Sequence, residues 1–228
     1  MLPARLLLAP AILAAVVTAI PAAEPIAQQP AHGLVAVVGG WRNADDGGPA
    51  FRVDTAGWSG KTERASLETT AKNLFGAVND TFVTNGTAPL AFPLAVHLNT
   101  KDFTSGTIRV QFKLVGGATD RNAGIAFNLK PNGEYFYLRY NTRDGNLALW
   151  KFRNGDRERM LDGEAKVQLP LDTWHQLEVT IAGQKISASV DNKTLTFAAN
   201  LPEPVSGRVG LWTKRDAITV FRNYRVQR

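Results

Sequence analysis

Aromatic rings and planar polar groups alternate through the middle of this sequence in a pattern suited to binding a sugar. Aromatic planes can cover the C–H face of a sugar, while guanidinium and amide groups bind pairs of its hydroxyls. The candidate residues for one such surface are Arg109, Gln111, Asn128, Tyr135, Tyr137, Arg139 and Trp150. We therefore predict a carbohydrate-binding face. The alternative is that the rings pack beneath a segment from the N-terminal half, while the arginines merely line an edge.

The candidates belong to segments in which apolar and polar residues alternate with the period of a β-strand. Successive side chains of a strand point to opposite faces, so the candidates should lie opposite a core face. The predicted core face consists of Ile108, Val110, Phe112, Leu114, Ile125, Phe127, Leu129, Phe136, Leu138, Leu147 and Leu149. Tyr137, Arg139 and Trp150 should then share one sheet surface, with Trp150 as an exposed platform for a sugar ring.

Turn signals punctuate the chain from Leu34 onward, among them Asn132-Gly133, Asp144-Gly145 and Asn154-Gly155. Short alternating segments separated by turns about every 8–12 residues are typical of an all-β antiparallel sandwich. Only residues 61–73 could form a helix, and we expect a loop or short turn there. The prediction is a two-sheet antiparallel jelly-roll sandwich with no helix longer than about two turns.

The N-terminus predicts export. One positive charge, Arg5, precedes an apolar run of about 15 residues that ends in small residues before Glu24. A membrane anchor is disfavoured because the run is short and Pro10 interrupts it. We expect residues 1–23 to be a signal peptide, 24–32 a flexible tether, and 33–228 one domain. The mature protein would be periplasmic or secreted, without a membrane span.

Composition restricts the remaining classes of function. The chain has no cysteine, which excludes disulfides, thiolate metal sites and cysteine nucleophiles. Its formal charge is +6, but the basic residues are scattered among acidic ones, so we predict no nucleic-acid partner. No zinc-ligand spacing occurs, and we expect no cofactor. Calcium is the one ion left open, with residues 120–122 or Asp45-Asp46 as sources of oxygen ligands.

Glycoside hydrolysis normally needs two carboxyl groups across the scissile bond. No strand carries such a pair, and Asp156 with Glu158 is better explained as a solvated hairpin tip. Glu178 is the best lone acid, although an exposed strand face explains it better. Among the histidines, His97 is the candidate for a functional role, whereas His175 should be a satisfied residue at the edge of the core.

Segments near the end of the chain carry a resemblance to a known family. The segments Trp174–Val179 and Val190–Asn192 look like a strand pair of laminin-G-like and concanavalin A-like domains. The segments Gly207–Lys214 and Phe221–Val226 resemble the end of bacterial exported DUF1080-type proteins, the 3-keto-disaccharide hydrolase-like group. The resemblance covers roughly residues 80–228 and implies a concanavalin A-like fold. One departure is Arg222-Asn223, where the family usually has an acidic pair.

Two functions from different classes follow. The first is an exported, non-catalytic carbohydrate-binding protein, which the missing carboxylate pair favours. The second, implied by the resemblance, is a glycoside-processing enzyme of the 3-keto-sugar type. Such an enzyme can work with a lone acid or base, because a neighbouring carbonyl acidifies the ring hydrogen. A carboxylate or histidine beside Tyr137, Arg139 and Trp150 would favour the enzyme.

Overall fold

The computed structural model describes residues 33–54, 58–119 and 121–228. The predicted signal peptide (1–23) and tether (24–32) lie outside the described residues, as does Asp120. In chain order the elements are β1 (Leu34–Val38), β2 (Trp41–Asp45), β3 (Pro49–Val53), α1 (Arg64–Phe75), α2 (Asp80–Thr87), β4 (Leu94–His97), β5 (Gly106–Gly116), β6 (Asn122–Leu129), β7 (Tyr135–Asn141), β8 (Asn146–Arg153), β9 (Asp156–Asp162), β10 (Trp174–Ala182), β11 (Lys185–Val190), β12 (Leu195–Asn200), β13 (Arg208–Trp212) and β14 (Ile218–Gln227).

The strands form two antiparallel sheets of seven strands each. Sheet A has the order β1-β4-β13-β6-β7-β8-β9, and sheet B has the order β12-β11-β10-β5-β14-β3-β2. The consecutive hairpins β6-β7-β8-β9 build one half of sheet A, as their short turns favour. The predicted all-β, two-sheet jelly-roll sandwich is confirmed.

The main core lies between the inner faces of the two sheets. The alternation in β5 buries Ile108, Val110, Phe112 and Leu114 there, as predicted. Leu129 is the exception among the predicted core residues, because it packs in a second apolar cluster outside sheet A. Asn128 has a positive φ of 58°, and the pairing of β6 with β13 shifts register there, so the side chains beyond it change face.

That second cluster fills the space between sheet A and two helices, which the sequence did not predict. Helix α1 has 12 residues, more than the two turns expected. Its buried residues Leu67, Ala71 and Leu74 are spaced four and three apart and form one apolar stripe. The expectation of a loop was wrong because this stripe is stabilised by packing on a distant sheet rather than by local propensity.

Helix α2 is attached to sheet A through a buried amide. The Asn85 side chain donates to the Asn132 carbonyl at 2.8 Å and accepts from the Gly155 amide at 2.6 Å. It therefore bridges the β6–β7 and β8–β9 turns. Asn79 caps the same helix by accepting from the amides of Thr81 and Phe82. Within the described ranges, neither helix has the length and apolar character needed to cross a membrane.

Candidate carbohydrate site

Two of the seven predicted site residues lie on the other side of the sandwich. Arg109 and Gln111 are on β5, which belongs to sheet B, whereas the other five are on β6, β7 and β8 of sheet A. Arg109 Nε donates to Glu178 at 2.7 Å, and Gln111 accepts from Arg222 and Asn223 at 2.9 Å. The prediction of one shared face was wrong for Arg109 and Gln111, because alternation assigns a face but not a sheet.

Asn128 and Tyr135 are on sheet A but serve its architecture. The Asn128 side chain accepts from the Ser206 amide at 2.8 Å and donates to Glu203, which ties down the loop before β13. Tyr135 stacks on Phe152 with ring centroids 5.1 Å apart, inside the second apolar cluster. Burial raises the pKa of the Tyr135 hydroxyl well above its usual range. Neither side chain lines the cleft described below.

Tyr137, Arg139 and Trp150 share the outer face of sheet A, as predicted. Tyr137 is paired with Trp150 across the β7–β8 ladder, and their rings stack with centroids 6.2 Å apart. On its other side the Tyr137 ring stacks on Trp212 at 4.1 Å. However, Tyr137 is 0% and Trp150 only 7% exposed. The expected exposed platform was therefore wrong, because these rings belong to the cluster beneath the helices.

Beside this row of rings, sheet A holds an open cleft of about 280 Å³. It lies on the outer face of β6 to β9 and β13, beside the turn between β7 and β8. We call it the sheet A cleft. The residues that line it are Asn122, Tyr137, Arg139, Asn141, Arg143, Asp144, Trp150, Arg157, Arg159, Trp212 and Lys214.

A buried arginine and a partly exposed carboxylate form the floor of the cleft. Arg139 Nη2 donates to Asp144 Oδ2 at 2.8 Å, and Arg139 Nη1 donates to Asn146 Oδ1 at 3.2 Å. Asn141 Nδ2 also donates to Asp144 Oδ2, at 3.0 Å. Burial lowers the pKa of Arg139, and Asp144 opposes that shift. The charges are thus held by several hydrogen bonds on rigid strands, which fixes their positions.

Strand β9 brings two more arginines over the ring of Trp150. The guanidinium carbons of Arg157 and Arg159 lie 5.0 and 4.8 Å from the Trp150 ring centroid, and that of Arg139 lies at 5.9 Å. Our sequence reasoning missed Arg157 and Arg159. Their positions two apart, directly after the Asn154-Gly155 turn, could have predicted a strand with both side chains on the face of Trp150. The neighbouring Asp156 and Glu158 are exposed, in keeping with a solvated hairpin.

The cleft also contains buried hydrogen-bonding capacity that the protein does not use. Asn122 Nδ2 and Trp150 Nε1 are buried and have no hydrogen-bond partner among the described residues. Such groups are uncommon in folded proteins because each costs about 1–3 kcal/mol when unpaired. Their occurrence together favours a site that binds a polar partner. Burial raises the pKa of the Tyr137 hydroxyl, and the charges of Arg157 and Arg139 only partly offset the rise.

The other predicted acids and bases lie elsewhere. Glu178 is paired with Arg109 on sheet B, and His97 binds Thr100 and packs against the ring of Tyr224. Burial lowers the pKa of His97. His175 is satisfied at both ring nitrogens by Asp191 and the Pro170 carbonyl, as expected for a residue at the edge of the core. Among the residues that line the cleft, Asp144 supplies the carboxylate.

No metal site emerges from the part of the chain that the structure describes. No group of three or more histidine, aspartate or glutamate side chains there is arranged to hold an ion. Of the residues considered for calcium, Asp46 pairs with Lys113, and Asp45 accepts from the Gly48 amide at 3.0 Å. Asp120 lies outside the described residues.

Comparison with known proteins identifies relatives of the whole domain. The model of a family described as the 3-keto-alpha-glucoside-1,2-lyase-like domain matches residues 40–227. The predicted resemblance to DUF1080-type proteins is therefore confirmed, and it extends further towards the N-terminus than expected. No protein of curated function matches the sequence.

Solved structures show a similar fold at low sequence identity. The carbohydrate-binding module CBM66 from Bacillus subtilis is 14% identical with a TM-score of 0.61, and the match covers 87% of this chain and 98% of that one. The Bacillus licheniformis beta-glucanase is 10% identical with a TM-score of 0.43, covering 60% and 71%. Sheep galectin-11 is 16% identical with a TM-score of 0.41, covering 56% and 92%. CBM66 thus supports the sandwich fold.

Proposed function

This chain belongs to the family of 3-keto-alpha-glucoside-1,2-lyase-like domains, and we propose on that premise that its sheet A cleft binds a carbohydrate. The proposed protein is an exported β-sandwich that recognises a saccharide. Arg139, Asn141 and the β9 arginines would donate to sugar hydroxyls. Arg109 and Gln111 have no part in this site, since they lie on sheet B.

One observation carries the proposal: planar donors converge on one cleft and are held in place by the surrounding strands. Arg139 is anchored by Asp144 and Asn146, and Arg157 rests on aromatic rings. Donors fixed in this way lose little conformational entropy when they bind pairs of hydroxyls. The volume of about 280 Å³ is close to the lower end of ligand pockets, which suits a small saccharide or one unit of a longer chain.

A glycan array followed by titration of the bound saccharides tests the carbohydrate site. The double variant Arg157→Ala/Arg159→Ala removes two of the arginine side chains that line the cleft, and the affinity for the saccharide should fall at least about tenfold. The matched control, Arg109→Ala/Arg225→Ala, removes two arginines from sheet B and should leave affinity unchanged. Binding that survives the first variant but is lost in the second would contradict the proposal.

A second candidate function, elimination from a 3-keto-glycoside, is favoured by the family and by Asp144. Both hydrogen bonds of that carboxylate are accepted by Oδ2, and its side chain is 41% exposed. We propose Oδ1 as the base. It would take the proton from C2, next to the C3 carbonyl, and the C–H electrons would form the C1=C2 double bond. The C1–O bond breaks, and the departing alkoxide takes up the proton that Asp144 has gained and leaves as an alcohol.

The elimination can be tested with a 3-keto-glucoside and chromatographic analysis of the products. Asp144→Asn should lower the turnover rate by about 100-fold or more, because general-base catalysis typically contributes that much. Glu178→Gln is the matched control, since Glu178 is also paired with an arginine but on sheet B. Unchanged turnover in Asp144→Asn would show that Asp144 is not the base. Absence of turnover in the native protein would contradict the elimination, and carbohydrate binding would remain as the proposed function.

Export is part of the same proposal and rests on residues 1–23 of the sequence. Expression in a bacterial host should yield a product cleaved close to Ala23 in the periplasm or medium. N-terminal sequencing of that product measures the cleavage site. A membrane-bound form that retains Met1 would show that the segment is an anchor.

A further inference from the structure

We propose that the saccharide bound in the sheet A cleft is acidic and that its carboxylate is held by Arg157 and its neighbours. This inference rests on the proposed carbohydrate site and specifies the class of ligand. It predicts a sugar acid, such as a uronic acid unit, in place of a neutral sugar.

The charge of the cleft walls is strongly positive. Arg139, Arg143, Arg157, Arg159 and Lys214 line the cleft, together with a single carboxylate from Asp144. Like charges brought together on the low-dielectric wall of a cleft create a positive potential that attracts anions. A neutral sugar would gain nothing from that potential, whereas a sugar acid would be drawn to it.

The acidic residues near the cleft leave part of this charge uncompensated. Asp144 is bound to Arg139 at 2.8 Å, and Asp162 is bound to Arg159 at 2.9 Å. Each of these carboxylates therefore already has an arginine partner. Among the described residues, Arg143 and Arg157 form no salt bridge with any carboxylate.

Arg157 is the residue best placed to bind a carboxylate. Its guanidinium carbon lies 5.0 Å from the ring centroid of Phe92 and 5.0 Å from that of Trp150. Stacking on aromatic faces leaves the edge of a guanidinium free to donate its N–H groups to a planar partner. A carboxylate accepts two parallel hydrogen bonds from that edge. Two hydroxyls can also accept from it, but those hydrogen bonds are weaker because the hydroxyls carry no charge.

Two cations on the opposite side of the sandwich are compensated by carboxylates of the fold. On sheet B, Arg109 pairs with Glu178, and Lys113 pairs with Asp46. Both residues follow the same alternating pattern as the cleft arginines. Arg143 and Arg157, which line the cleft, have no such carboxylate partner among the described residues, in agreement with a ligand that supplies negative charge.

Isothermal titration with three tetrasaccharides tests the proposal: galacturonic acid units, the matching neutral galactose units, and galactose units carrying sulfate. The galacturonate form should bind at least about tenfold more tightly than the neutral form. This advantage should shrink when salt rises from about 50 to about 500 mM, because screening weakens charge attraction. Arg157→Gln should remove most of the advantage, and Arg157→Lys should keep part of it.

Arg109→Gln is the control on sheet B and should bind like the native protein. Thermal unfolding establishes that each variant is folded, and Arg159→Gln replaces Arg157→Gln if the latter is not.

Equal affinity for the acidic and neutral forms would overturn the acidic ligand while leaving the carbohydrate site intact. Tighter binding of the sulfated form would overturn the carboxylate assignment. An acid preference that survives Arg157→Gln, or Arg159→Gln where it replaces that variant, would place the anion site elsewhere. Failure of every saccharide on the array would overturn the proposed function itself.

Discussion

The outer faces of the two sheets arise from the same alternating pattern but have different surroundings. On sheet A, helices α1 and α2 cover much of the face, and the remainder forms a cleft with the buried Arg139 at its floor. On sheet B, polar side chains pair with one another along the surface. The side chain of Arg139 on sheet A is 5% exposed, whereas that of Arg109 on sheet B is 43% exposed. In this molecule, a polar strand face thus forms a candidate site where another part of the chain encloses the sheet.

The difference is clearest for the two tryptophans that each contact basic side chains. Trp150 on sheet A lies in the second apolar cluster and also contacts three arginines. Trp174 on sheet B lies beneath the guanidinium of Arg222, 3.9 Å from its ring centroid, and near Lys113. Enclosure therefore gives Trp150 a packing role that Trp174 lacks. Three substitution experiments can test how far sheet A is enclosed.

The largest expected effect is the loss of packing in Trp150→Ala. Truncating a buried tryptophan should lower the free energy of unfolding by about 3–5 kcal/mol. Trp174→Ala, the matched change on sheet B, should cost about 1 kcal/mol or less, since it removes mainly partly exposed cation–π contacts. Urea denaturation measures both values. Equal costs for the two substitutions would show that sheet A is not enclosed as described.

A smaller effect is expected when the link between helix α2 and sheet A is removed. Asn85→Ala deletes two hydrogen bonds and leaves the Gly155 amide and the Asn132 carbonyl without that partner. The free energy of unfolding should fall by about 2–4 kcal/mol. Asn79→Ala removes only the cap of the same helix and should cost about 1 kcal/mol. Chemical denaturation of both variants decides this, and a larger loss for Asn79→Ala would contradict the bridging role of Asn85.

The smallest effects concern the two arginine–carboxylate pairs. Arg139→Gln should lower the free energy of unfolding by about 1–3 kcal/mol, because its hydrogen bonds to Asp144 and Asn146 are made from a buried position. Arg109→Gln breaks an exposed pair and should cost less than about 1 kcal/mol. Thermal unfolding at low and high salt measures both, and salt should reduce the contribution of Arg109 more. Similar losses of unfolding free energy in the two variants would mean that burial of the Arg139 pair does not increase its contribution to stability.

Our sequence reasoning recovered three residues of the candidate site and missed most of the others. Tyr137, Arg139 and Trp150 could be placed together because a tight hairpin pairs their strands and alternation assigns their face. Arg157 and Arg159 were missed because strand β9 was interpreted as a hairpin tip. Trp212 could not have been found by local pattern alone, since β13 reaches the site through pairing with a strand distant in sequence. Asn122 could have been found, because it lies on β6, which pairs with the next strand in the sequence.

By itself, the sequence determined the alternation within each strand and therefore which side chains oppose one another across that strand. Ile108, Val110 and Phe112 were assigned to the core on that basis, and they are buried there. Only the tertiary structure decided that β5 joins sheet B and that α1 folds onto sheet A. Those outcomes depend on pairings and packing between distant segments, such as Arg109 with Glu178 and Leu67 with the sheet A cluster. Alternation is a local, two-residue property, so it cannot specify which distant segment will cover a face.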